Sequence, residues 1–136
     1  MDKIIVYCDG GSRGNPGKSA SAFVVKKKGK VVRSGSLFLG IATNNVAEYS
    51  AVILALDWLS KNPSVFPAEI TFVLDSQLVV RQLAGLYKVK NKKLKELYIK
   101  IKYLENKIGN KITFVSVERE KNILADSLVN KELDKN

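Results

Sequence analysis

The sequence predicts an α/β (α+β) fold: a mixed five-stranded sheet with three antiparallel strands first and helices on both faces. Three observations lead there. Residues 3–9, 19–27 and 30–41 are successive strand-like runs joined by short, glycine-bearing links. From residue 44 onward, helical and strand patterns alternate. No internal repeat, low-complexity tract or linker interrupts the 136 residues, so a single domain over 1–136 is expected.

The first strand is carried by Ile4-Ile5-Val6-Tyr7-Cys8 and closed by Asp9. Residues 19–27 alternate as a strand, and Lys28-Gly29-Lys30 is a hairpin signal into residues 30–41. Residues 44–60 place Ala47, Ala51, Leu54, Ala55, Trp58 and Leu59 at helix spacing, which makes Trp58 a core residue. Asn62-Pro63 ends that helix, and a proline-containing loop runs to Pro67. Residues 69–74 form a strand, and 76–84 a short helix ended near Gly85. Residues 91–108 form a basic amphipathic helix with an inner stripe of Leu94, Leu97, Tyr98, Ile101, Leu104 and Ile108, stopped by Gly109-Asn110. The last strand is 111–117. Asn122 is placed to cap a final helix reaching about residue 133, and the last few residues are expected to be loose.

A hydrophobic fraction of 46% supports a core that buries roughly two-thirds of the unfolded surface. No apolar stretch reaches the ~20 residues of a membrane span. Met1-Asp2-Lys3 leads straight into a strand pattern, without a signal peptide. Cys8 is the only cysteine, which excludes an internal disulfide and reads as a buried thiol. The expectation is a cytoplasmic protein with no membrane association, acting as a monomer.

The formal net charge of +10 is concentrated. Lys88 to Lys111 holds nine lysines against Glu96 and Glu105, a net of +7, and Lys26 to Arg33 adds five bases and no acid. Two basic segments on a nearly neutral body suit either a polyanion-binding surface or a solvated lysine-rich exterior.

Against that background stand four acids: Asp9, Glu48, Asp75 and Asp126. Asp9 and Asp75 follow apolar strands, and Glu48 and Asp126 fall in the first turns of expected helices. Each has an ordinary reading, as turn former, helix starter or partner of a helix dipole. Together they can converge at one end of the sheet. Crowded carboxylates repel unless cations neutralise them, and Mg²⁺ or Mn²⁺ suits an all-oxygen site. With only 13 acids against 23 bases, four placed this way point to metal-dependent chemistry.

The surrounding motifs are Asp9-Gly10-Gly11-Ser12-Arg13-Gly14-Asn15-Pro16-Gly17, Thr43-Asn44-Asn45-Val46-Ala47-Glu48-Tyr49, Asp75-Ser76-Gln77 and Ala125-Asp126. In order and spacing they resemble ribonuclease H of type 1, from about residue 3 to residue 133. The resemblance implies the ribonuclease H-like fold and an endonuclease that cuts the RNA strand of RNA–DNA hybrids, leaving 5′-phosphate and 3′-hydroxyl ends. It implies two Mg²⁺ ions, replaceable by Mn²⁺, flanking the scissile phosphate ~3.5–4 Å apart. Asp9 would bridge both, Glu48 and Asp75 would lean to the nucleophile side, and Asp126 to the other ion. It further implies that Gly10, Gly11, Arg13 and Asn15 lie beside the RNA strand and its 2′-hydroxyls, the groups that distinguish RNA from DNA. Asn44, Asn45 and Gln77 would reach the minor groove; one of the two asparagines also reads as a helix cap. From their charge, and not from the resemblance, Lys88, Lys90, Lys92, Lys93 and Lys95 are expected to contact phosphates without regard to sequence.

Ser12-Arg13-Gly14-Asn15-Pro16-Gly17-Lys18-Ser19 is one residue from a P-loop, with Ser in place of the first Gly. It leads into a strand pattern instead of a helix, so no nucleotide cofactor is expected.

Two departures from the family pattern stand out. The chain has no histidine, whereas many members carry one in the loop before the last aspartate. The corresponding stretch here is Val117-Glu118-Arg119-Glu120-Lys121-Asn122, which leaves Arg119 and Glu120 as auxiliary candidates. The Trp-rich basic protrusion is also not recognisable; Gly85 to Leu94 is short and lysine-bearing. Two alternatives share the fold: a nuclease that also cuts double-stranded RNA, and a non-catalytic hybrid-binding module.

Overall fold

The computed structural model describes residues 3–62, 69–109 and 111–136. Strands β1 (Lys3–Arg13), β2 (Gly17–Lys27) and β3 (Lys30–Ala42) form an antiparallel meander. Strands β4 (Glu69–Leu74) and β5 (Lys111–Ser116) extend it in parallel, in the order β3-β2-β1-β4-β5. The helices are α1 (Asn44–Ser60), α2 (Gln77–Leu83), α3 (Lys92–Ile108) and α4 (Ile123–Asp134). This is the expected mixed five-stranded architecture. The Pro63–Pro67 loop, Asn110, Met1 and Asp2 lie outside the described residues.

Alternation along β2 separates the two faces of the sheet. Phe23 and Val25 join Ile4, Val6 and Cys8 of β1 in the main core, against α1, α2 and α3. Ala20 and Ala22 point the other way and pack on Val129 and Leu133 of α4. Helices therefore cover both faces. In α3, Leu94, Ile101 and Leu104 are buried while Leu97, Tyr98 and Ile108 pack at the core's margin, which matches the expected stripe. Trp58 also sits at that margin, its ring 6.3 Å from that of Phe23.

Local features refine the sequence reading. β1 runs on to Arg13, because Gly10, Gly11 and Ser12 keep pairing with Ser21, Ala20 and Ser19. The glycine-rich segment is thus mostly strand, and it enters β2, not a helix, as its sequence pattern implies. At the β2–β3 hairpin, Lys28 (φ 52°) and Gly29 (φ 76°) both adopt the left-handed conformation of a two-residue primed turn. Helix α1 is capped by Thr43, whose Oγ1 accepts from the Val46 N–H at 3.2 Å, and not by either asparagine. Near residue 136, Lys18 Nζ donates to the Asn136 carbonyl oxygen at 2.8 Å, and Asn136 Nδ2 to the Glu132 carbonyl at 2.7 Å.

Candidate active site

Strand register brings the first two acids together. Tyr7 of β1 lies beside Val73 of the parallel strand β4, so two residues further along both strands reach Asp9 and Asp75. Helix α1 crosses just above. The Gly10 N–H donates to Glu48 Oε1 at 3.2 Å, and Ser21 Oγ donates to the Ala47 carbonyl at 2.6 Å. That approach requires glycine at position 10, since a Cβ there would stand 2.1 Å from the Ala47 carbonyl carbon. Glu48 is the fifth residue of α1, beyond the first turn, so pairing with the helix dipole does not account for it. Its position serves the cleft. One carboxylate oxygen each from Asp9, Glu48 and Asp75 lies within 4.8 Å of the others. Asp126, in the first turn of α4, completes the cleft wall without joining that trio.

Burial and mutual repulsion hold these groups toward their neutral forms. Asp9 is 5% exposed; burial, then the charge of Asp75, pushes its carboxyl up to about 7, although the hydrogen bond with Glu48 opposes this. Glu48, equally buried, is raised well above the usual carboxylate range by burial and then by Asp9 and Asp75. Asp75 is raised by burial, with Arg119 pulling the other way.

The arrangement fits a hard divalent cation. The donors are all carboxylate oxygens, and Glu48 Oε2 is buried with no hydrogen-bond partner among the described residues. A cation would satisfy that oxygen and offset the repulsion that adds to burial in raising these acids.

Comparison with known proteins matches this geometry to a family. The family model of RNase H matches residues 1–133 of the chain. The chain belongs to the ribonuclease H family. Its fold superposes on the crystal structure of LC11-RNase H1 in complex with RNA/DNA hybrid with a TM-score of 0.91, at 42% identity, covering 97% of each chain. Ribonuclease HI of Halobacterium salinarum is 35% identical over 97% of this chain and 65% of its own length. The bifunctional protein Rv2228c of Mycobacterium tuberculosis is 37% identical over 97% of this chain. The match spans only 36% of that relative, so the chain covers about a third of the length of the first curated relatives.

Within this ribonuclease H cleft, Gly10, Gly11, Arg13, Asn44, Asn45 and Arg119 join the four acids as lining residues, together with Ser12, Ser76 and Asn130. Several are already engaged. Arg13 Nη2 donates to Asp134 Oδ1 at 2.6 Å, and Asn44 Oδ1 accepts from the Ser12 N–H at 2.9 Å and from Ser12 Oγ at 3.0 Å. Asn15 lies outside the acid cleft and accepts from the Asn44 N–H at 3.0 Å. It lines an adjoining groove with Thr43, Asn44, Asn45, Asn91 and Lys93.

The remaining sequence candidates lie elsewhere. Gln77 is exposed at the start of α2 and does not line the cleft. Lys88 lines a separate hollow with Leu86, Tyr87 and Tyr98, and Lys90 and Lys92 are exposed. Lys93 is the lysine of this segment that faces the asparagine groove. Glu120 lines a hollow with Tyr7 and Lys26, away from the acids. Arg119 does reach the site, with its guanidinium 3.4 Å from Asp126 Oδ1. Sequence reasoning includes Lys93 among the basic residues of this segment but does not single it out, and it misses Ser12. Ser12 sits inside the glycine motif, and its neighbours alone could mark it.

Proposed function

We propose that this chain is an endoribonuclease that hydrolyses the RNA strand of RNA–DNA hybrids with the help of two divalent metal ions. The observation that carries the reading is the convergence of Asp9, Glu48 and Asp75 within 4.8 Å, with Asp126 on the same cleft. Membership of the ribonuclease H family and the likeness to a protein solved with an RNA/DNA hybrid support it. Asp9, Glu48, Asp75 and Asp126 would hold the metals. Mg²⁺, or Mn²⁺ in its place, supplies an activated water and a counter-charge for the leaving 3′-oxygen. The products would carry 5′-phosphate and 3′-hydroxyl ends.

The protein's own groups bind and orient the substrate. Gly10 and Gly11 line the cleft, where their backbone would lie beside the ribose 2′-hydroxyls. Ser12 and Asn44, bonded to each other, set the wall beside the acids. The groove lined by Asn15, Asn45 and Lys93 adjoins the acid cleft through Asn44 and would take the continuing duplex. Arg119 and Arg13 place positive charge at the rim for phosphates.

A cleavage assay tests this directly. Labelled RNA–DNA hybrid, RNA duplex and DNA duplex are each incubated with and without Mg²⁺. Cleavage confined to the RNA of the hybrid, and only with metal, is expected. Cleavage of the RNA duplex at a similar rate would broaden the substrate class. Hybrid binding without any cleavage would mark a non-catalytic module.

A further inference from the structure

We propose that Asn122 is a positioning residue that sets Asp126 against Asp9, an inference that rests on the metal-dependent reading above. Asn122 is 1% exposed and stands just before α4. The Asp126 N–H donates to its carbonyl at 3.1 Å. An asparagine at this position ordinarily accepts a hydrogen bond from the first turn of its own helix. Here the side chain makes no such bond. Its Nδ2 instead donates to the carbonyl of Cys8, 114 residues away, at 2.8 Å.

The Cys8 carbonyl belongs to the peptide that leads into Asp9. One short side chain therefore joins the backbone entering Asp9 to the turn that carries Asp126. The arrangement has a cost, because Asn122 Oδ1 is buried without a partner among the described residues. Stability alone would favour a side chain that caps α4, or an apolar one. The bond to Cys8 does what neither could: it fixes how far the α4 acid stands from the β1 acid. Asp126 lies outside the tight trio but beside Asp9, so holding it there decides whether the fourth carboxylate can share a cation with the others.

Two variants separate positioning from stability. Asn122→Ala removes both the link and the buried orphan oxygen. Asn122→Ser can cap α4 but cannot reach the Cys8 carbonyl. Hybrid cleavage gives KM and kcat. In parallel, Mn²⁺ is titrated without substrate and paramagnetic broadening of backbone amide resonances is followed by NMR.

Both variants are expected to fold and to keep KM within about twofold, while kcat falls roughly tenfold or more. Broadening at Asp126 should drop at least twofold relative to wild type, with broadening at Asp75 unchanged. Folded variants with wild-type kcat and wild-type broadening at Asp126 would overturn the proposal. So would failure of both variants to fold, which would make Asn122 a structural residue. Wild-type protein without Mn²⁺ broadening at Asp9, Glu48 and Asp75 would overturn the metal reading itself, and the proposal with it.

Discussion

The Arg119 guanidinium meets Asp126, 3.4 Å from its Oδ1, and not the neighbouring Glu118 or Glu120. The pair is exposed on the arginine side, so breaking it costs under about 1 kcal/mol of stability. Arginine stays charged near neutral pH; it can attract phosphate but cannot shuttle a proton. Arg119→Ala is expected to lower hybrid-cleavage kcat roughly tenfold with little change in Tm, an effect of about 1.4 kcal/mol on the barrier. Single-turnover and steady-state rates locate the step. A loss in both points to scission, and a loss confined to steady state points to product release. If neither rate changes by more than about twofold, Arg119 has no part in turnover.

Asp9 gives a pH prediction with a definite sign. Its folded pKa of about 7 lies above the ordinary value of 3.8, so the folded state holds this proton more tightly. The group therefore costs nothing below pH ~4, destabilises progressively as pH rises to ~7, and costs a constant amount above that. Asp9→Asn should abolish cleavage. In metal-free buffer it should also be more stable than wild type at pH 8, by on the order of 3 kcal/mol. Urea denaturation at pH 8 and pH 4 checks this. A gap that fails to shrink toward pH 4 would contradict the burial and repulsion assigned to Asp9.

A metal must displace the proton that burial keeps on Asp9. Mn²⁺ binding at pH 6 should therefore release at least one proton per protein, with Glu48 able to add to that of Asp9, and affinity should rise with pH through ~7. Calorimetry in two buffers of different ionisation enthalpy measures the release. Glu48→Gln should weaken binding sharply. Heats identical in the two buffers would mean that the bound ion leaves the Asp9 proton in place.

Lys92, Lys93 and Lys95 open α3, where positive charge opposes the helix dipole. Helix stability does not explain them; polyanion binding is the role expected of them. Changing all three to Gln should leave Tm unchanged or slightly raised, while hybrid binding weakens. The salt dependence should become shallower by roughly 0.7–0.9 in log–log slope for each phosphate that the variant no longer neutralises. An unchanged slope would leave these lysines as solvated surface.

Gly10 and Gly11 look alike in sequence and should respond differently. A Cβ at Gly10 would stand 2.1 Å from the Ala47 carbonyl carbon, whereas at Gly11 the nearest atom is Val129 Cγ1 at 3.6 Å. Gly10→Ala should destabilise by about 2–3 kcal/mol or push α1 off β1. Gly11→Ala should cost far less. Equal Tm losses in the two variants would contradict the close approach of α1.

The elements and the four acids are legible in the sequence because they depend on local pattern. Strand runs, helix spacing and acids at element ends are all visible within short windows. What escapes is long-range, or a choice between equivalent neighbours. Thr43, Asn44 and Asn45 are all capping residues, and only the fold shows that Thr43 caps α1 while Asn44 turns to Ser12. Arg13 pairs with Asp134 across 121 residues, which no local window contains. Asn122 reads as an ordinary cap because its true partner is a backbone carbonyl, and a carbonyl leaves no mark in sequence. Lys88, Lys90, Lys92, Lys93 and Lys95 stand out alike by charge, and only the fold shows that Lys93 faces the asparagine groove.

The bonds that tie α4 to β1, Asn122 to Cys8 and Arg13 to Asp134, span 114 and 121 residues. During synthesis Asp9 leaves the ribosome early, and α4 follows on the order of ten seconds later at ordinary elongation rates. Until then β1 and β2 have no helix on the face that carries Ala20 and Ala22, and the fourth acid is missing. Until α4 docks, the cleft lacks the wall that carries Asp126. The emergence of α4 is therefore the event that turns a folded sheet into a complete site.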